Sequence, residues 1–265
     1  MINKISELPK ILNYKGNELF INNFSCKKIA REFGTPIFCY SISQVEKNFI
    51  ELKNSFKGIS PLICYAVKAN FNKNIIKLLA KNGAGADVVS LGELKHCLEN
   101  GMDSNKIVFS GVGKTNEELE YAIRKNIKQI NIESEEELDD IIKICKVNKL
   151  KKKVKISIRV NPDVDAETHE KISTGRSEDK FGVPIKKVRS IFEKYKNEKK
   201  IEFVGISIHI GSQIQKIGPF KKAFVKVRKE IISLIDSGHK ISTVDLGGGI
   251  GIDYGEDKIF QIKEY

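Results

Sequence analysis

"PLICYAVKANFNKNIIKLLAKNGAGADVVS", residues 61–90, decides the fold. An apolar, β-branched run (61–67) leads into an amphipathic helical pattern from Asn74 to Lys81, then into a second apolar run, "ADVV" (86–89). Strand, helix, strand in so short a stretch implies two parallel strands joined by a crossover helix. The unit repeats downstream. "KIVFS" (106–110), "QINI" (129–132), "VKISIRV" (154–160), "FVGISIHI" (203–210) and "TVDL" (243–246) read as strands. Helical patterns lie at Gly92 to Glu99, Glu117 to Lys125, Ser134 to Cys145, Ile185 to Tyr195 and Phe220 to Ile235. Upstream, "PIFCY" (36–40) is an eighth candidate strand, followed by a helical pattern from Gln44 to Phe56. Thr115 and Ser134 stand before acid-rich helix starts, where side-chain oxygens cap free N–H groups and acids suit the helix dipole. The strands read as continuous apolar runs, the pattern of a parallel sheet buried on both faces.

Eight such strands predict an α/β protein built as a TIM-like (β/α)8 barrel, with an open doubly wound sheet as the alternative. Where the unusual residues fall separates the two, because barrels collect chemistry at the C-terminal ends of many strands and open sheets at one switch point. Here nearly every strand ends in a polar or glycine-rich group: Lys68, Ser90, Gly111 to Lys114, Glu133 and Ser134, Asn161 and Asp163, His209 to Gln213, and Gly247 to Gly249. That ring of ends favours the barrel.

Composition narrows the class of protein. With 265 residues, 40% hydrophobic and 30% charged, the chain can bury a core. No apolar run is long enough to span a membrane, and the first residues lack a signal-peptide pattern, so a cytoplasmic protein is expected. The net charge is +12, but only six of the 46 basic residues are arginine, and the lysines are scattered among acids. Nucleic-acid surfaces favour arginine with interleaved aromatics, so no nucleic-acid partner is expected. Lys149 to Lys153 reads as a solvated loop. Five cysteines without C-x-x-C spacing, and four histidines without ligand spacing, give neither a disulfide framework nor a zinc site. Asp163, Asp165, Glu167 and His169 match no calcium loop, so no metal is expected.

Three constellations carry chemistry. Lys68, taken alone, reads as one more solvated lysine; at the end of a buried strand it would need a partner or a lowered pKa, and could form a Schiff base with a carbonyl cofactor. "DLGGGIG" (245–251) is either a bare tight turn or a cradle whose N–H groups face a phosphate. It lacks the last glycine of a dinucleotide fingerprint, and "GKT" (113–115) lacks the first glycine of a P-loop, so a nucleotide is not indicated. "HIGSQ" (209–213) sets an imidazole before a Gly-Ser turn. The polar stretch 159–182 is long for a structureless connection, which marks it as functional.

Taken together, "GTPIFCYS" (34–41), "CYAVKAN" (64–70), "GAGADVVSLGEL" (83–94), "FSGVGKT" (109–115), "INIESEEEL" (130–138), "RVNPDVDAETHEKISTG" with "KFG" (159–182), "GISIHIGSQI" (205–214) and "VDLGGGIGIDYG" (244–255) resemble the fold type III, pyridoxal-phosphate-dependent amino-acid decarboxylases. The resemblance runs from about residue 30 to the end. It implies pyridoxal 5′-phosphate as cofactor and a small amino acid as substrate, with "NPDVDAETHEKISTG" and "HIGSQI" resembling the diaminopimelate-acting branch rather than ornithine or arginine enzymes. It implies Lys68 as the cofactor-bearing lysine, His209 stacked on the pyridine ring, Ser212 and Gly247, Gly248 and Gly249 on the phosphate, and Asp87 and Arg159 around the ring. A racemase of the same fold type, or a non-catalytic pyridoxal-phosphate-binding barrel, are the other readings.

The resemblance also implies missing parts. Members of the family continue into a Glu-Pro-Gly-Arg strand and a β domain that completes the site across a homodimer, and none of these follows "FQIKEY" (260–265), which reads as helical. In the family the 36–40 strand lies outside the barrel, leaving seven barrel strands here. The expectation is a barrel incomplete at its last strand. Residues 1–35 would form an arm that goes with a β domain absent from the chain, and residues 36–265 a truncated pyridoxal-phosphate-binding domain. Cofactor binding should be weak and turnover slight.

Overall fold

The computed structural model describes residues 11–168, 174, 175, 181–252 and 260–265. The chain divides into two compact units, Met1–Ser60 and Pro61–Tyr265. The first holds a small antiparallel meander, β1 (Leu12–Lys15), β2 (Glu18–Ile21) and β3 (Phe24–Ser25), then α1 (Cys26–Phe33) and α2 (Ile42–Ser55). Ser25 and Ser41 cap the two helices by accepting the N–H of Lys28 and Gln44. The 36–40 run is not a strand: it joins no ladder and its side chains are exposed. Aromatic and β-branched residues favour a pleated, half-buried surface, and without a neighbouring strand that preference has nothing to act on.

The second unit alternates strand and helix as expected: β4 (Cys64–Ala66), α3 (Lys73–Lys81), β5 (Gly85–Val88), α4 (Leu91–Glu99), β6 (Ile107–Phe109), α5 (Asn116–Arg124), β7 (Gln129–Ile132), α6 (Glu135–Val147), β8 (Val154–Asn161), β9 (Val183–Pro184), α7 (Ile185–Tyr195), β10 (Ile201–Ile208), α8 (Ile217–Asp236) and β11 (Thr243–Asp245). All its strand pairs are parallel, in the order β4-β5-β6-β7-β8-β10-β11, with the two-residue β9 on the end of β8. Among the described residues the barrel wall therefore has seven strands, and β4 and β11 do not pair. "FQIKEY" contains one 3-10 turn, Ile262–Glu264, in place of the expected helix. Among the described residues no helix is long and apolar enough to cross a membrane.

Two contacts show how far the sheet curls. In a flat sheet β7 and β11 would lie roughly 14 Å apart, three strand spacings. Instead Asn131 Nδ2 on β7 donates to Asp245 Oδ2 on β11 at 2.9 Å, and Thr243 Oγ1 donates to Gln129 Oε1 at 3.1 Å. The strands also prove not to be apolar throughout. Gln129, Asn131 and Glu133 share one face of β7 and its end, as Ser157, Arg159 and Asn161 do on β8 and Ser207 and His209 on β10. Period-2 alternation turns these inward, while Ile130, Ile132, Ile156, Ile158, Ile206 and Ile208 pack outward under the helices. The interior is thus a polar site rather than an oily plug. The continuous apolar reading overlooked that alternation.

The helices cover the outer face with stripes at the 3.6-residue period. Leu138, Ile141, Ile142 and Cys145 of α6 are buried, as are Val188, Ile191, Phe192 and Tyr195 of α7. Each fully buried Leu or Ile contributes about 1.5–3 kcal/mol. The expected start of α5 is a full capping box: Thr115 Oγ1 accepts the Glu118 N–H, and the Glu118 carboxylate accepts the Thr115 N–H at 2.9 Å. Glu118 also takes the Leu91 N–H at 2.8 Å, joining the starts of α4 and α5. Thr115→Ala should lower stability by about 1 kcal/mol, read as a drop in the urea midpoint with unchanged slope.

Candidate functional site

Each strand–helix junction delivers one or two side chains to the C-terminal mouth of the curled sheet. Lys68 sits on a one-turn 3-10 helix, Val67–Ala69, directly after β4. It is exposed, not buried as expected, because β4 is the edge of the sheet and its own side chains are only half-covered. Its ammonium is nonetheless close enough to act on both Asp87 and His209.

Asp87, on β5, begins a relay of side chains across the interior. It accepts from Ser110 Oγ at 2.7 Å; Ser110 Oγ accepts from Asn131 Nδ2 at 3.0 Å; Asn131 also reaches Asp245, and its Oδ1 takes Gln129 Nε2 at 2.8 Å. Burial pushes the Asp87 carboxyl up to about 6; the Asp245 charge adds to this, while Ser110, Lys68 and Arg159 oppose it.

Arg159, on β8, is locked. Its Nη1 donates to Glu133 Oε1 at 2.7 Å and its guanidinium lies 4.9 Å from the Phe181 ring centroid. Glu133 is buried, and its two oxygens also accept the N–H groups of Gly111 (3.2 Å) and Gly182 (2.9 Å). Removing one partner of such a pair costs about 3–5 kcal/mol, whereas removing both can be nearly neutral. A second buried pair lies alongside: Lys114 Nζ is 2.7 Å from Glu137 Oε1 and also donates to the Gly111 and Asn131 carbonyls. Burial raises the Glu137 carboxyl above its usual range, with Lys114 opposing.

His209 follows β10. Its Nδ1 faces the N–H of Gly248 at 3.3 Å, and a backbone N–H can only donate, so Nδ1 is an acceptor and the ring proton sits on Nε2. Burial, then the charges of Arg159 and Lys68, pushes the imidazole down to about 4. His209 should therefore stay neutral well below pH 6, and an NMR titration of its ring should show a midpoint near 4. The sign for stability follows. Between 6.5 and about 4 the unfolded chain takes up a proton that folded His209 refuses, so this term destabilises the fold as pH falls. Asp87 works the other way: from 3.8 to about 6 the folded state holds the extra proton, and its term is lost as pH rises.

Beside His209, the Gly247–Gly249 turn and the segment carrying Ser212 run together. Gly249 C=O accepts the Ile214 N–H at 2.8 Å and Gly251 N–H returns to the Ile214 carbonyl at 2.9 Å. Gly247 (φ +69) and Gly249 (φ +96) adopt left-handed conformations, and a Cβ would overlap the Ile208 carbonyl oxygen at one and the Gly211 carbonyl oxygen at the other. Only glycine fits both. Gly248 differs: its Cβ direction is open space, and the neighbouring Ser212 is exposed. From the long polar stretch, Thr174 donates its hydroxyl to the His209 carbonyl at 2.7 Å. His169 lies outside the described residues.

The structure thus gathers Lys68, Asp87, Arg159 and His209 within electrostatic reach and places the glycine turn against His209 on one side and the Ser212 backbone on another. What the sequence reading assigned no role is Glu133, Ser110, Asn131 and Asp245. For Asn131 and Glu133 the signal was the alternation "QINIE" (129–133), polar at every second residue in a strand that a parallel sheet buries on both sides. A cavity of about 250 Å³ at the opposite ends of the strands is lined by Ala122, Gln129, Leu150, Val154 and the exposed Lys151 to Lys153.

Residues 42–265 match the family model of the pyridoxal-dependent decarboxylase, pyridoxal binding domain. The chain is 45% identical over 255 residues to the diaminopimelate decarboxylase of Aquifex aeolicus, covering 96% of this chain and 60% of that protein. The crystal structure of diaminopimelate decarboxylase from Helicobacter pylori complexed with L-lysine superposes with a TM-score of 0.87 at 40% identity, covering 90% of this chain and 60% of the other. Lysine decarboxylase from Selenomonas ruminantium shares the fold, with a TM-score of 0.78 at 21% identity over 90% of this chain and 58% of that one. The chain thus spans about 60% of the length of the curated relatives it matches.

Proposed function

The chain belongs to the pyridoxal-dependent decarboxylase family, by its pyridoxal binding domain, and on that premise we propose that its strand-end site serves the decarboxylation of meso-2,6-diaminopimelate to L-lysine with pyridoxal 5′-phosphate. The likeness to diaminopimelate decarboxylases over nearly the whole chain carries this reading.

The residues present fit the cofactor. An exposed primary amine, Lys68, matches its aldehyde. The open space at Gly248, in a turn whose Gly249 packs against the Ser212 backbone, matches its phosphate. A neutral, flat imidazole, His209, matches its ring. When bound, pyridoxal phosphate supplies an electron sink for the charge left as a carboxylate departs as CO2. The chain's own residues do the rest. Lys68 would hold the group through its primary amine, at the end of a flexible stem. His209, uncharged at neutral pH, would face the ring without adding a positive charge. Ser212 and Gly247, Gly248 and Gly249 hold the phosphate end. Asp87 and Arg159 set the charge around the ring, with Arg159 kept to one position by Glu133. The remaining parts of the reading are a homodimer as the working assembly, a cytoplasmic location, and a division in which residues 36–265 form the cofactor-binding domain while residues 1–35 go with a further β domain.

The substrate is tested on the cofactor-loaded chain. meso-Diaminopimelate should perturb the visible spectrum at lower concentration than ornithine or arginine and should release labelled CO2. An equal or stronger response to ornithine or arginine would overturn the choice of substrate.

A further inference from the structure

We propose that Glu133 is a positioning residue for the cofactor pocket: its carboxylate holds the Arg159 guanidinium and ties the end of the long 159–182 stretch to the strand ends. Three donors from three places converge on it, Arg159 Nη1 from β8, the Gly111 N–H after β6 and the Gly182 N–H before β9. Its side chain is 4% exposed and that of Arg159 11%, so both charges are largely withdrawn from water. Phe181, next to Gly182, has its ring centroid 4.9 Å from the guanidinium. A carboxylate accepts all three bonds at once. An amide presents one oxygen and an N–H₂ group that would oppose a backbone N–H. Glu133 acts through Arg159, whose charge is felt at both Asp87 and His209. It touches neither of those groups among its hydrogen-bond partners.

Arg159 next to the cofactor is part of the reading above, and this inference rests on it. The test is therefore a double-mutant cycle with one arm that needs no cofactor. In the apo chain, Glu133→Gln should speed hydrogen exchange at the Gly111 and Gly182 amides by roughly tenfold or more, as expected when a local bond opens. In the cofactor arm, Glu133→Gln should weaken pyridoxal phosphate binding by about tenfold, the effect of losing one charge-assisted bond. In an Arg159→Met background the same change should cost less than about twofold, because the group it acts through is gone. Each single variant leaves one buried charge unpaired and the double variant leaves none, so where a single variant melts, a double variant no more stable than that single variant overturns the pairing. Unchanged exchange at Gly111 and Gly182, or equal losses of affinity in both backgrounds, would overturn the proposal. A wild-type chain that forms no Lys68-dependent band would instead overturn the cofactor reading, and the exchange arm alone would then decide whether Glu133 holds the segment.

Discussion

Lys68→Ala is expected to abolish the visible absorbance that develops when the chain is mixed with pyridoxal phosphate, while leaving the fold intact. Lys68 is exposed and lies on a single 3-10 turn, so its removal deletes no core contact and breaks no ion pair among the described residues. Truncating such a surface side chain changes stability by about 0.5 kcal/mol or less. Affinity should suffer far more, because the other contacts proposed for the cofactor, from His209, Ser212 and the glycine turn, are non-covalent. Loss of the band together with an unchanged melting temperature is the expected pair of results. A variant that kept the band would show that another amine captures the aldehyde.

The second large effect belongs to the glycine turn. Gly249→Ala should lower stability by about 3 kcal/mol or more, because the residue combines a left-handed backbone with a Cβ that overlaps the Gly211 carbonyl oxygen. That collision would push apart the two segments bearing Gly247–Gly249 and Ser212, which the Ile214 N–H bond to the Gly249 carbonyl joins. Gly248→Ala is the informative companion. Its methyl enters open space, so the apo melting temperature should hold, yet the methyl would occupy the place proposed for the phosphate and weaken cofactor binding. If both variants bound pyridoxal phosphate as the wild type does, the phosphate would lie elsewhere.

The fold was legible where local signals and the tertiary requirement agree. "QINI" and Ile185–Tyr195 have the predicted ends, and the capping oxygens of Thr115 and Ser134 were readable from type and position. "PIFCY" misled because composition reports a preference for a pleated surface and cannot report whether a neighbouring strand is there. The N-terminal meander went unread because its strands are short. Its signal was the Gly16–Asn17 pair between "LNYK" and "ELFI", a two-residue hairpin loop.

In the site, Lys68, His209 and the three glycines stood out as candidates because each follows the end of a strand. Glu133 and Arg159 also end or line strands, but their pairing joins residues from different strands, and Gly182 arrives from a third place. No spacing in a single sequence encodes that convergence. The exposure of Lys68 was missed for a related reason: the apolar run before it looks like any interior strand, and only the sheet order shows that β4 is an edge.

The account turns on which amine meets the aldehyde. Incubating the chain with pyridoxal phosphate, reducing it with borohydride and mapping the pyridoxyl-bearing peptide answers that directly. The account predicts the label on Lys68 within "CYAVKAN". A label on another lysine, or spread over several, would contradict it.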